Sequence, residues 1–494
     1  MTFSQSDAKN IKENTWPENP NIVFIMMDDF DIFDMAKFKE LYQKLDNSEH
    51  SINTPNLDAF FDRSLKFSNY HTNGANCSPT RGSLLTGLYP SDLGFYRAVS
   101  KNSERGIPAR NKLISEVLQS SGYTTATVGK WNVGHKGDSL YNPNLFKAFE
   151  RGFDYSFCSV GCYIDSDSLS ESNKIRHNTQ SWQGYGGSYS RFQLEHQNRS
   201  QTELTYTSIG APSNKSVDLE NSQYITKVNT DKAINFINQL KDTKNKKPFF
   251  LNLWYWLPHG PVHVPLGITE NNKLKTPYSD YYMRSHFPVP KGMGADSEQH
   301  KIDQTNCKKN NADNNAQTHN FKCNTRLGEY AAMITRLDAA IGRVIEATQN
   351  LPNTLIIITS DNGGAGPDHV LRDSTQTNSE FDISKNFGID PKLAFKGSKN
   401  ELYERGIRVP LMIRWLGENN EDLLSSDTID DLILSREFYP TLSFSAGLMP
   451  SNSHAYGENL FNRLLKKQST HKYHNKQRKE WLISQQKPVF YENN

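Results

Sequence analysis

No run of about 18 or more apolar residues occurs in the chain, so no membrane span is expected. The opening stretch, MTFSQSDAKNIKENTWPENP, lacks the basic-then-apolar order of a secretory leader. Excess charge is missing as well. Lys and Arg total 56 against 54 acids, a net charge of +2, which argues against a general nucleic-acid binder. Apolar content is low, at 35% with a mean hydropathy of −0.71, and points to long polar loops around an ordinary core. Cysteine is scarce and odd in number, with five in 494 residues: Cys77, Cys158, Cys162, Cys307 and Cys323. If chemistry consumes Cys77, four remain, enough for two bridges or for free thiols in a reducing compartment. No internal repeat is present.

What is present is an alternation of helices and strands. NIVFIMMDD (21–29) is a short apolar run that ends in two acids, a buried strand by pattern. TPNLDAFFDRS (54–64) has Thr54 and Pro55 ahead of apolar residues at helical spacing, the pattern of a capped helix. Helix-then-strand order recurs in LISEVLQSSG–YTTATVGKW, in ITKVNTDKAINFINQLK–PFFLNLWYWLP and in RLGEYAAMITRLDAAIGRVIEATQNL–NTLIIITSDNGG, and VPLMIRW (409–415) adds a further strand. That order predicts an α/β fold with a largely parallel sheet between helices. Ligands of such sheets bind beyond the carboxyl ends of the strands. Polar clusters fall there: Asp28 and Asp29, Lys130, His259, Asp361 and Asn362. Residues 163–222 and 285–325 are polar inserts within a main unit expected over 15–450, and 451–494 form a small C-terminal region.

The sharpest signal is NCSPTRGSLLTG (76–87). Read alone, it is a loop cysteine before a helix capped by Ser78, with Pro79 in its first turn. Two acid-containing strand ends, with Asn362, offer four oxygen donors, which suit a hard cation.

Cys77-Ser78-Pro79-Thr80-Arg81 followed by Thr86-Gly87 resembles the signature of formylglycine-dependent sulfatases, in the arylsulfatase and N-acetylgalactosamine 4-sulfatase group. Five further segments follow in the family's order over roughly residues 20–450. The resemblance implies an alkaline-phosphatase-like sandwich and oxidation of Cys77 to formylglycine by a maturation enzyme. A hydrated aldehyde there has two hydroxyls, one to attack sulfur and one to expel sulfate later. It implies Ca²⁺, with Mg²⁺ second, on Asp28, Asp29, Asp361, Asn362 and residue 77. Arg81 matches the arginine that fixes the nucleophile loop. GKWNVGH (129–135) resembles Gly-Lys-Trp-His-Leu-Gly, so Lys130 matches the lysine between sulfate and nucleophile. Asn132 stands where the family has a histidine, and an amide cannot take a proton near neutral pH; His135 is a nearby substitute. His259 matches the acid that protonates the leaving alcohol, with His263 as its rival. In FKGSKNELYERGIRVP (395–410), Lys399 matches by register, Lys396 lies three residues earlier, and Arg405 replaces a glycine.

The expected function is hydrolysis of sulfate esters on a sulfated polysaccharide. Chondroitin or dermatan 4-O-sulfate leads, and marine sulfated galactans follow. Trp182, Tyr185, Tyr189 and Phe192 in the first insert supply flat faces for sugars, His263, Lys396 and Arg405 are further substrate contacts, and Arg463 to Lys479 carries seven Lys/Arg to attract a polyanion. A periplasmic or secreted location is expected. Two rivals remain: a phosphatase or phosphodiesterase of the same superfamily, and a glycan-binding protein with an impaired site, for which Asn132 is the support.

Overall fold

The computed structural model describes residues 17–43, 52, 54–99, 105–134, 146–159, 193–198, 205–208, 225–241, 247–259, 267–268, 274–275, 325–365, 395–448 and 457–461. Its strands are β1 (Asn21–Asp28), β2 (Leu65–Phe67), β3 (Tyr70–His71), β4 (Thr124–Lys130), β5 (Tyr155–Ser159), β6 (Gln193–Asn198), β7 (Thr205–Ser208), β8 (Phe249–Pro258), β9 (Gly267–Ile268), β10 (Leu274–Lys275), β11 (Thr354–Ser360), β12 (Leu411–Leu416), β13 (Thr428–Ile429) and β14 (Ile433–Leu434). Ten of them form one sheet in the order β13-β2-β12-β11-β1-β8-β4-β5-β6-β7. From β11 to β5 the strands are mutually parallel. Antiparallel β12 and β2 extend one side, and antiparallel β6 and β7 the other.

Helices cover both faces, which is why β1 is apolar at successive positions instead of alternating. Ile22, Phe24 and Met26 share a core with the helices Cys77–Thr86, Ile114–Ser120 and Phe438–Ser445. Val23, Ile25 and Met27 pack in the opposite core with the helices Pro55–Asp62, Ile225–Lys241 and Thr325–Ala347. Each fully buried side chain of this kind contributes about 1.5–3 kcal/mol.

Two expected caps are corrected. Thr54 does not cap the helix Pro55–Asp62; its hydroxyl donates to Asp58 at 3.2 Å. The acceptor comes instead from the helix Thr325–Ala347. Asp338 takes the backbone N–H groups of Leu57 at 2.7 Å and Asn56 at 3.2 Å, and the Asn56 amide at 2.7 Å. Burial outweighs these bonds and pushes the Asp338 carboxyl up to about 6. Asp338→Ala should therefore cost about 1–3 kcal/mol, by orphaning first-turn donors. A lower denaturant midpoint at constant m would record it, and an unmoved midpoint would show the contact to be idle. The second correction is Ser78. It lies inside its helix, which is capped by Asn76 accepting from the Cys77 N–H at 2.8 Å.

Leu460 and Phe461 bury against the main core, with the Phe461 ring 5.2 Å from Trp415. Residues 462–494, with the basic run, lie outside the described residues. So do most of both inserts, Trp182, Tyr185, Tyr189, Phe192, His135, His263, Cys162, Cys307 and Cys323.

Candidate active site

Four neighbouring parallel strands end at one edge of the sheet, and each delivers polar groups there. β1 ends in Asp28, followed by Asp29; β4 ends in Lys130; His259 follows β8; Asp361 and Asn362 follow β11. Successive strand residues face opposite ways, so Asp28 and Asp29 would diverge if β1 continued. Asp29 instead adopts a left-handed φ of 64°, which ends the alternation. One donor atom each of Asp28, Asp29, Cys77 and His259 then lies within 4.8 Å of the others. Beside Lys130, Gly129 has a φ of +104°, and a Cβ there would come within 1.9 Å of the Trp254 carbonyl. Only glycine lets β4 approach β8 in this way.

Cys77 is the first residue of its helix and is 2% exposed. Its Sγ lies 3.5 Å from Asp28 Oδ1 and 3.3 Å from Lys130 Nζ. Burial pushes the thiol up to about 12 against the opposing pull of Lys130. Four residues on, Arg81 is wholly buried. Its Nε and Nη2 donate to Asp361 Oδ2 at 2.9 and 2.7 Å, and its Nη1 donates to the Lys130 carbonyl at 3.1 Å. One guanidinium thus ties the helix that begins at Cys77 to the ends of β11 and β4. Its Cζ lies over the Trp254 ring, 4.8 Å from the centroid.

Lys130 Nζ donates to Asp28 Oδ2 at 2.5 Å. Lys399 Nζ lies 2.7 Å from Asp29 Oδ1 and 2.8 Å from Oδ2, and His259 Nε2 is 3.8 Å from Oδ2. Burial alone would raise both carboxyls, but the cations win and hold them below the ordinary range: Lys130 and His259 for Asp28, His259 and Lys399 for Asp29. Burial likewise works against charge on Lys130, yet Asp28 keeps its ammonium above the usual lysine value.

Asn362 is fully buried. Its Nδ2 donates to Asp29 Oδ1 and to the Gly363 carbonyl, both at 2.8 Å, while its Oδ1 has no hydrogen-bond partner. An unmet buried acceptor costs about 1–3 kcal/mol. With the carboxylates of Asp28, Asp29 and Asp361 it completes an oxygen-rich donor set that fits a hard divalent cation.

Cys77, Arg81, Lys130, His259, Lys399 and all four acid and amide residues thus converge. Asn132 is buried nearby with a φ of 54°, and its carbonyl accepts the Ser78 hydroxyl at 2.6 Å. Arg405 instead reaches Asp31 at 2.5 Å, and Lys396 rests over the Tyr403 ring at 4.1 Å. Trp256, whose ring lies 4.7 Å from Lys130 Nζ, was not singled out by the sequence. No spacing signals it, because the contact exists only where β8 lies beside β4.

Residues 20–448 match the family model described as Sulfatase. N-acetylgalactosamine-6-sulfatase of Homo sapiens is 25% identical over 464 residues, 91% of this chain and 66% of that protein. Its counterparts in Mus musculus and Rattus norvegicus are each covered over 51% of their length, so the chain spans about half to two thirds of these curated relatives. A solved structure of i-CgsB in complex with k-i-k-neocarrahexaose aligns at a TM-score of 0.57 and 23% identity, over 91% of this chain and 77% of that one. The phosphonate monoester hydrolase of Agrobacterium radiobacter aligns at a TM-score of 0.51 and 18% identity, over 91% and 78%. These two likenesses establish the shared alkaline-phosphatase-like sandwich.

Proposed function

The chain belongs to the sulfatase family, and from that premise we propose that it hydrolyses sulfate esters of an acidic glycan, with residue 77 working as formylglycine. The observation that carries this reading is the setting of Cys77, whose Sγ stands where a hydroxyl oxygen of the matured residue would lie, between Asp28 and Lys130. Around it, the three carboxylates of Asp28, Asp29 and Asp361 are balanced by the three fixed cations of Arg81, Lys130 and Lys399. A divalent cation added to a balanced cluster leaves it net positive, the charge a sulfate ester requires.

Asp28, Asp29, Asp361, Asn362 and residue 77 would hold Ca²⁺, or Mg²⁺ in second place. The bound ion would polarise the ester and favour the ionised hydroxyl of residue 77. The chain's own groups do the rest. Lys130 spans Asp28 and residue 77, and is placed to bridge nucleophile and sulfate. Arg81 fixes the angle between the nucleophile helix and Asp361. Lys399 and His259 approach from the Asp29 side, with His259 as the donor to the leaving alcohol. Asn132 brings no proton acceptor to the sulfate-expelling step, which falls to other groups or to water.

A galactosaminoglycan is the proposed substrate class. The resemblance to the 4-sulfatase group suggests a 4-O-sulfate, and the name of the human relative adds the 6-O-ester; sulfated galactans come next. This reading requires a formylglycine-generating enzyme as maturation partner and fits a periplasmic or secreted location. Among the described residues no helix is long and apolar enough to cross a membrane.

The test is sulfate release from chondroitin 4- and 6-sulfate disaccharides and from 4-nitrophenyl sulfate, beside 4-nitrophenyl phosphate. Sulfate esters should be cleaved far faster than phosphate. His259→Ala should lose on the order of 10²-fold or more on the sugar esters and much less on the aryl ester, whose leaving group needs no proton. Faster phosphate turnover would move the chain to the phosphatase reading, and equal losses would remove the acid role of His259.

A further inference from the structure

Among the described residues, the large apolar side chains at the surface are Tyr96, Tyr403 and Leu402, with exposures of 65%, 46% and 42%. Single exposed apolar residues are ordinary, but these three share one mode of attachment. All lie on two loops fastened to the start of the helix that carries residue 77. In the first loop, the Val99 N–H donates to Ser78 Oγ at 2.8 Å, and that hydroxyl donates to the Asn132 carbonyl at 2.6 Å. In the second, the Asn400 N–H donates to the Ala75 carbonyl at 2.7 Å, and the Asn76 amide donates to Asn400 Oδ1. The Lys399 N–H also donates to the Gly364 carbonyl at 2.9 Å.

Tyr96 is therefore three residues from an anchor on the residue after 77. Tyr403 is three residues from an anchor on the two residues before it. Three residues of chain reach at most about 11 Å, so the backbone of each tyrosine stays within that span of an anchor beside Cys77. Each has an exposed cation at hand: Arg97 is next in sequence to Tyr96, and Lys396 Nζ lies 4.1 Å from the Tyr403 ring centroid. Packing does not require flat apolar rings on a polar surface. A sugar ring offers an apolar face to an aromatic side chain, and an acidic sugar adds an anion for the cation beside it.

We propose that Tyr96 with Arg97 and Tyr403 with Lys396 form two sugar-binding subsites flanking residue 77, which hold the acidic units on each side of the ester being cleaved. This rests on the sulfatase reading and deepens it. The site then favours an ester inside an oligosaccharide over one on a lone sugar.

The experiment compares kcat/KM of the full, matured chain on a chondroitin sulfate hexasaccharide, the matching disaccharide and 4-nitrophenyl sulfate. The wild type should prefer the hexasaccharide. Tyr96→Ala and Tyr403→Ala should each raise its KM about tenfold, with losses on the two small esters at least about fivefold milder, as for an aromatic anchor at an interface. Tyr→Trp at either position should restore the preference, because it keeps a flat face. A wild type that treats hexasaccharide and disaccharide alike, or variants that lose equally on all three, would overturn the subsites while leaving the sulfatase reading intact. If no sulfate ester is hydrolysed, the sulfatase reading fails by itself. Hexasaccharide affinity measured by calorimetry then decides the subsites: weaker binding by both Tyr→Ala variants supports them, and unchanged binding removes them.

Discussion

Cys77→Ser should keep the fold and lose steady-state sulfate release by on the order of 10⁴-fold or more, the scale on which removal of a covalent nucleophile acts. Serine fits the buried position and offers one hydroxyl. It has none left with which to expel sulfate, so any reaction stops after one turnover. The unmatured thiol fares no better. Burial pushes the thiol up, which disfavours the thiolate, its nucleophilic form. Activity across preparations should therefore track the fraction of chain whose peptide mass at residue 77 shows the aldehyde. Turnover by Cys77→Ser at the wild-type rate would end the formylglycine mechanism.

Removal of divalent ions is the second large effect expected. Asp28 and Asp29 are held ionised at zero and 2% exposure, beside the unbonded Asn362 oxygen. Chelation should abolish turnover, and Ca²⁺ should restore it, with Zn²⁺ a poor substitute at matched free concentration because it prefers nitrogen and sulfur donors. A readout independent of turnover exists. At about 100 times its Kd, an ion that binds only the folded chain adds about 2.7 kcal/mol of stability and raises Tm. Asn362→Ala and Asp29→Ala should flatten that rise. A Tm indifferent to Ca²⁺ in the wild type, or zinc rescue better than calcium rescue, would rule out the oxygen site.

The sequence by itself determined the helix and strand order, the parallel sheet and the strand-end location of Asp28, Lys130, His259 and Asp361. The reason is local: apolar runs in β1, β8 and β11 have the length of buried strands, and each stops at a polar group that cannot continue into the core. The segment around Cys77 also carried the resemblance on which the proposed chemistry rests. Only the tertiary structure decided what lies beside what. Asp29 turns toward Asp28 because its backbone is left-handed, a conformation that no spacing announces. The cap of the helix Pro55–Asp62 comes from Asp338, far along the chain, because two helices pack on one face of the sheet. Arg405 is drawn to Asp31, and Lys130 lies over Trp256, through neighbours set by strand order. Exposure is likewise a property of the folded surface: residue type alone does not separate Tyr96 and Tyr403, which are exposed, from Tyr70 and Tyr255, which are buried. Residue type and period are written in the chain, whereas contacts between distant segments depend on the packed arrangement of all of them.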